Sequence, residues 1–309
     1  MRNDGYDYPD RIQPRDEART VEDFYALRYA HSDRATWRRR ILAGEVTRNG
    51  MPTGPAEVLR RGDLLVYRRL PWDEPDAPRD FGVLLEDEDV LALAKPSGLP
   101  VLPGGMFLEN TLLHLVRRRF GPGCSPLHRL GRGTSGAILF VRNPRAGRLL
   151  ARAMFKRRIL KVYLALASGA AMPDAFTVDA PIGPVPYRHP AAVNAFRPDG
   201  RPSLSRVRVL LRFPERDAAL LEVTIPTGRP HQIRIHLAYA GHPLVGDPLY
   251  APGGLPREDG EDDEAPTRPG DVGYLLHSWR IRFPHPSRGE DVEVVSSPPP
   301  ALDPGPATF

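Results

Sequence analysis

The sequence predicts an α+β protein. Strand-like segments come in neighbouring pairs, at residues 83–85 with 90–94 and 204–213 with 219–225, and a further segment at 160–166 alternates apolar and polar residues. The helical stretches between them are few and short, which is the order of an α+β fold and not of a strand-helix-strand repeat. At 309 residues the chain can bury a sizeable core, with one large and one small domain as the natural division.

Residues 1–20 are polar, mixed in charge and without periodicity, and read as a flexible tail. From Val21 to Leu70 the pattern changes. Phe24, Leu27 and Ala30 recur at helical spacing, and Ser32 or Asp33 can cap a second helix through Trp37, Ile41 and Leu42, closed by Gly44. Val46, Asn49-Gly50 and the stretch from Gly62 to Val66 read as short strands and turns. Arg34, Arg38, Arg39, Arg40 and Arg48 lie on or near the second helix. Such a run is usually a solvated face; its functional alternative is phosphate contact, which gives affinity without sequence specificity. Residues 71–81, rich in proline and acid, form a linker.

Residues 82–296 make the larger domain. An acidic turn at 86–89 joins the first strand pair into a hairpin, and a short basic helix spans 112–120. Residues 137–141 are a buried strand. Asn143 then caps, and Pro144 opens, a helix whose Leu150, Met154 and Phe155 face the core, with Lys156-Arg157-Arg158 at its negative pole. In the next strand Leu160, Val162, Leu164 and Leu166 share one face, Lys161, Tyr163 and Ala165 the other. Residues 172–203 read as a long loop region over the functional face. Pro230 is placed to open a helix closed by Gly241, with Ile233, Leu237 and Ala240 as its core stripe and His231 beside Arg234 on another face. Residues 251–272 are an insertion, and 297–309 a disordered, proline-rich tail.

Composition narrows the class. The net charge of +5 and a pI near 9.5 permit a nucleic acid partner without requiring one. Gly and Pro, 28 and 36 residues, stay below the roughly 25–30 % that marks low complexity. The single Cys124 rules out an internal disulfide and cysteine-rich zinc sites, and fits a reducing compartment. No apolar run approaches the ~20 residues of a membrane span, and Met1-Arg2-Asn3-Asp4 starts no apolar signal core. A cytoplasmic globular protein is expected.

The chemistry concentrates in His128-Arg129-Leu130-Gly131-Arg132-Gly133-Thr134-Ser135-Gly136. Glycines there allow positive φ and close backbone approach, and arginines offer flat donor forks for phosphate or carboxylate. By spacing alone this is either a ligand loop or a tight turn with solvated arginines. The segment resembles the signature H-R-L-D-x-x-T-S-G of the RluA-type RNA pseudouridine synthases, matched by His128, Arg129, Leu130, Thr134, Ser135 and Gly136. Gly131 stands at the family's catalytic aspartate, and Gly133 at a place often acidic. Lys95-Pro96-Ser97-Gly98 resembles the family's N-K-P-x-G with Ala94 for asparagine. Lys161 and Tyr163 match its K-x-Y, and Thr227 to His236 its T-G-R-x-H-Q-I-R-x-H. Gly246, Asp247 and Tyr250 match G-D-x-x-Y. Gly44, Val46, Asn49, Gly50, Gly62 and Asp63 are similar to the small αL RNA-binding domain that precedes many such synthases.

This resemblance implies a mixed, mainly antiparallel sheet core with a cleft, plus the small N-terminal α/β domain. It also implies a monomer that isomerises uridine to pseudouridine in ribosomal or transfer RNA without cofactor or metal. Tyr163 would pack by the base, and Arg234 would partner the aspartate. Arg129 would shape the loop or hold phosphate, and His128, Arg132, Lys161, Arg229 and His231 would contact RNA. Asp247 is expected to be structural. Gly131 has no side chain for nucleophilic or base work. Either a carboxylate arrives from another loop, or the cleft holds RNA without reacting, leaving Arg234 an uncompensated cation. A third reading is a protein-binding scaffold without RNA. With the rest of the site intact, Gly131→Asp should create or raise pseudouridine formation.

Overall fold

The computed structural model describes residues 1–29, 32–187, 192–257 and 267–305. Two compact units appear, Met1–Pro75 and Asp76–Phe309.

The first unit is built from β1 (Tyr6–Arg11), α1 (Val21–Arg28), α2 (Arg34–Leu42), β2 (Val46–Arg48), β3 (Met51–Pro52) and β4 (Leu64–Arg69). Its sheet has the order β1-β4-β2-β3. Residues 6–11 are therefore a strand, paired antiparallel to β4 from Tyr6 opposite Arg69 to Arg11 opposite Leu64, and not part of a flexible tail. They escape the apolar pattern because an edge strand keeps one face in water. Thr20 and Asp33 cap the two helices by accepting from the amides of Asp23 and Thr36. Trp37, Tyr25, Ile41 and Leu65 fill the core, whereas Leu27 is exposed and Ala30 lies outside the described residues.

The second unit continues with β5 (Gly82–Glu86), β6 (Val90–Lys95), α3 (Leu112–Phe120), β7 (Ser125–Pro126), β8 (Ser135–Val141), α4 (Pro144–Phe155) and β9 (Leu160–Ser168). Then come β10 (Ala175–Asp179), β11 (Ile182–Pro186), β12 (Ala192–Phe196), β13 (Leu204–Phe213), β14 (Ala218–Thr224), α5 (Gln232–Tyr239), β15 (Leu276–Pro284) and β16 (Asp291–Val295). Ten strands form one sheet, in the order β10-β13-β14-β9-β15-β8-β6-β5, with β16 on β15 and β7 on β8. Pairings are antiparallel except β15 with β8, so the α+β, mixed but mainly antiparallel core is as expected.

Strand alternation sorts side chains onto the two faces of this sheet. Leu91, Leu93, Ile138, Phe140, Tyr163 and Ala165 join one cluster with Leu130, Ile233 and Tyr274. Ala92, Ala137, Leu139, Ile281 and Phe283 join another, beneath Ala146, Leu150 and Ala153 of α4. The functional segments lie on the first face and α4 on the second.

Four expectations need correction. Residues 172–203 are not one loop: they hold β10 and the β11-β12 ribbon, whose proline-bearing strand sits where a missing amide is tolerated. Phe155 does not face the core but is 88 % exposed, because it ends α4 off the stripe of Ala146, Leu150 and Ala153. Pro230 does not open α5. His231 turns left-handed at φ 58°, so the helix starts at Gln232, whose side-chain oxygen closes the turn by accepting from Arg229 N at 3.0 Å and Thr227 Oγ1 at 2.8 Å. Residues 297–305 are ordered, with Leu302 buried against Trp279 and Leu164. Of the insertion at 251–272, residues 258–266 lie outside the described residues, as do 306–309 of the tail. No described helix is long and apolar enough to cross a membrane.

Candidate active site

The loop before β8 is a tight turn, Thr134 N donating to Gly131 O at 3.1 Å, and it is gripped from the 95–99 segment. Lys95 is buried, and its Nζ donates to Pro96 O (2.8 Å), Leu99 O (2.7 Å) and Arg132 O (3.1 Å). Those three carbonyls use every donor of an ammonium, even though burial, with Arg132 nearby, pulls the Lys95 pKa down to about 7. Gly98 N reaches Arg132 O at 2.8 Å and Ser97 Oγ reaches Gly133 O at 2.7 Å. The turn is thus fixed through its own backbone, which leaves its outer surface to side chains from elsewhere.

One side chain takes that surface. A Cβ placed on Gly131 would lie 2.7 Å from Tyr274 Oη, and one on Gly133 2.9 Å from the Tyr274 ring. Tyr274 is buried, and its hydroxyl sits 3.3 Å from Thr134 Oγ1. This accounts for both glycines: the phenol packs against the loop where a side chain at either position would begin. Gly131→Asp would therefore have to displace the Tyr274 hydroxyl as it adds a carboxylate.

Tyr274 also joins the loop to the second motif. The Arg234 guanidinium stacks on its ring at 4.2 Å from the centroid, with Tyr250 at 5.0 Å. Arg234 is not an uncompensated cation. Its Nε donates to Asp247 Oδ2 and its Nη2 to Oδ1, both at 2.7 Å, and Nη1 reaches Pro269 O at 3.2 Å. Asp247 Oδ1 also accepts from Leu249 N and Tyr250 N, so the carboxylate fixes its own turn as well as the arginine. Both side chains are out of water, 2 % and 0 % exposed. Removing one partner of such a pair costs about 3–5 kcal/mol, because a buried charge is stranded.

Lys161 and Tyr163 share one face of β9, the face on which Tyr163 meets Leu130, Ile233 and Tyr274. Lys161 Nζ donates to Thr227 O at 3.3 Å and lies 2.9 Å from where a Gly228 Cβ would be. Burial lowers its pKa to about 8 and raises the Tyr163 phenol to about 12. His128 and His231 are held neutral, pushed down to about 3 chiefly by desolvation, with Lys161 adding for His128 and Arg234 for His231. The single proton of Tyr250 Oη goes to Asn194 O at 2.6 Å, so His231 Nδ1 is the donor in its 2.8 Å contact with that oxygen. This assigns His231 the Nδ1–H tautomer and leaves Nε2 an acceptor.

The remaining candidates spread out. Arg129 is exposed. Arg132 stacks over Phe107 at 5.4 Å and donates to Gly270 O at 2.7 Å, and Arg229 reaches Pro202 O at 3.3 Å. In the first unit the basic face is largely committed. Arg34 pairs with Asp23 at 2.6 Å, Arg38 with Glu22 at 3.7 Å, and Arg48 with Asp63 at 2.6 Å; Arg40 stacks on Trp37 at 4.7 Å, and Arg39 is exposed. Sequence reasoning missed Tyr274 altogether. Its only signal was the glycine pair at 131 and 133, which marks close approach without naming what approaches.

Residues 89–239 match the model of the RNA pseudouridylate synthase family. An RNA pseudouridine synthase of Synechocystis is 41 % identical over 281 residues, 91 % of this chain and 94 % of the relative. RNA pseudouridine synthase 5 of Arabidopsis thaliana is 40 % identical, over 97 % and 94 % of the two chains. The ribosomal large subunit pseudouridine synthase D of Vibrio vulnificus is 32 % identical, over 88 % and 85 %. Among solved structures, human RNA pseudouridylate synthase domain containing 1 superposes with a TM-score of 0.55 at 26 % identity, covering 75 % of this chain and 89 % of that one.

Proposed function

This chain belongs to the RNA pseudouridine synthase family, and from that premise we propose that it isomerises uridine in ribosomal RNA, with the Tyr274 hydroxyl standing in for the aspartate that Gly131 lacks. One observation carries this: the phenol oxygen lies 2.7 Å from the point where a side chain of residue 131 would begin. The reaction breaks the N1–C1′ bond, turns the uracil and forms C5–C1′, while the C5 proton is lost and N1 gains one. Atoms balance with no co-reactant. What the site must supply is an oxygen that bonds C1′ as N1 leaves carrying the phenol proton, and that is released as phenolate when C5 takes C1′, regaining its proton from C5. Tyrosine oxygens serve as nucleophiles at an anomeric carbon in sialidases. Here the Arg234 guanidinium stacks on the face of that ring, 4.2 Å from its centroid, and holds the phenol against the turn. Tyr163 would pack by the base, with Lys161, Arg129 and Arg132 placed for phosphate. The first unit, similar to an αL domain, would add RNA contacts through Arg39 and whichever arginines exchange their acidic partners for phosphate.

A second reading, a cleft that holds RNA without reacting, is favoured by the bare Gly131 and by the Arg234 charge being already met by Asp247. Large-subunit ribosomal RNA transcripts incubated with the full chain and assayed for pseudouridine by mass spectrometry separate the two. Product from the wild type that falls by ~100-fold or more in Tyr274→Phe supports the phenol as the acting group. Salt-dependent binding without product supports the second reading. Neither binding nor product sinks both and leaves the scaffold.

A further inference from the structure

We propose a second RNA-docking surface on the face of the sheet turned away from the cleft, formed by the solvent side of α4. This inference rests on the RNA-acting reading above. Arg145, Arg148, Arg152 and Lys156 fall at helical spacing on one exposed stripe, and Arg157 and Arg158 extend it past the helix end. The helix contains no acidic residue. Among the described residues, none of Arg148, Arg152, Lys156, Arg157 and Arg158 takes part in an ion pair, in contrast to Arg34 and Arg38 of α2. By helix rise, the stripe from Arg145 to Lys156 runs about 16 Å.

The surface is concave where the charge is densest. Arg152, Lys156 and Arg158 line a cavity of about 390 Å³ together with Leu149, Pro284 and His285. Phe155, the neighbour of Lys156 in sequence, is 88 % exposed. Cations without ion pairs around a groove, with an exposed aromatic ring on the same helix end, suit a phosphate backbone and an unstacked base. An anionic membrane fits less well. A helix that lies in a bilayer inserts its apolar face, and the apolar face of α4 is already spent on Ala92, Leu139 and Ile281. Because α4 and the cleft are on opposite faces of one sheet, the two surfaces would engage different segments of a large RNA.

The test uses the full chain with Arg148, Arg152 and Lys156 each changed to Ala, compared with wild type after both give the same thermal midpoint. Binding is titrated at several salt concentrations against a large-subunit ribosomal RNA fragment and against a short uridine-bearing oligonucleotide able to fill the cleft alone. The expected result for the long RNA is at least a tenfold loss of affinity and a log–log salt slope shallower by about 2 to 3. The short oligonucleotide should bind unchanged. Equal affinity of variant and wild type for the long RNA overturns the proposal while leaving the cleft reading intact. An equal loss on both RNAs also overturns it, since the effect would then reach the cleft. Phosphatidylserine vesicles are the third probe: if the substitutions abolish vesicle binding but not RNA binding, the face belongs to membranes and the RNA surface is wrong. If the wild type binds no RNA, this inference and the proposed function fall together. Phe155→Ser with the arginines intact sharpens the reading, with a lesser loss on the long RNA and no change in salt slope.

Discussion

The two sides of the cleft are held together by different physics. On the α5 side Arg234 and Asp247 form a buried bidentate pair whose oxygens also fix two backbone amides. On the β8 side the fit is one of shape: a phenol packs against two glycines and Lys95 holds the Arg132 carbonyl, with Arg132 itself in a long ion pair to Asp271 at 3.9 Å. A charge pair tolerates no deletion, because the survivor has nowhere to go. A shape fit tolerates exchange, provided volume leaves one partner as it enters the other. The group presented at position 131 can therefore change while the arginine that backs it stays in place.

Asp247→Ala is the strongest way to break the contrast. It should destabilise the second unit by about 3–5 kcal/mol, read from urea midpoints, whereas a loss below about 1 kcal/mol would mean the pair is not a keystone. Tyr274→Ala should cost about 3 kcal/mol as a large-to-small core change, and Tyr274→Phe no more than about 1 kcal/mol, since its hydroxyl has only the 3.3 Å contact with Thr134. Gly131→Asp should cost about 1–3 kcal/mol through overpacking against Tyr274. Combined with Tyr274→Ala it should cost less than the two singles added together, a coupling of about 1 kcal/mol or more. Additive losses would show that the loop and the phenol do not compete for one space. The same double variant, assayed for pseudouridine, asks whether a restored carboxylate can replace the phenol.

A separate effect is pH dependence, to which each side contributes one imidazole. His128 and His231 have folded pKa values near 3, below the ordinary 6.5. Between those limits the unfolded chain binds protons that the folded one refuses. Stability from these groups is thus whole above pH 6.5 and falls as pH drops towards 3. From pH 7 to 5 the loss should be at most about 2 kcal/mol for each histidine. His128→Gln should flatten the curve measured by urea unfolding at the two pH values, and an unchanged curve would mean that His128 has the same pKa in the folded and unfolded chain.

Much of this was legible in sequence where the signal is local. The alternation that puts Lys161 and Tyr163 on one face, the Asn143 cap and the basic helix at 112–120 all depend on neighbours along the chain. The β11-β12 ribbon was hidden by its prolines, and β1 by its polar face. Arg234 and Asp247 were both singled out, but not as partners, because the signature set the arginine's partner at position 131. Tyr274 lies among Gly, Asp and Leu residues with no pattern of its own. Its meaning comes from a contact with Thr134, 140 positions away in sequence, and no local rule reaches that far.

The place of β15 in the sheet has a consequence for biosynthesis. This strand is the seam between β9 and β8, yet it follows both by more than a hundred residues. While the nascent polypeptide lacks it, the β5-β6-β8 layer and the β9-β14-β13 layer each present an open hydrogen-bonding edge, the kind that invites pairing with another chain. Tyr274 travels just ahead of that seam, so the phenol reaches the glycine turn only as the two layers are stitched. A ribosome that stalls before it would leave two half-sheets with open edges and a glycine turn still uncovered by its phenol.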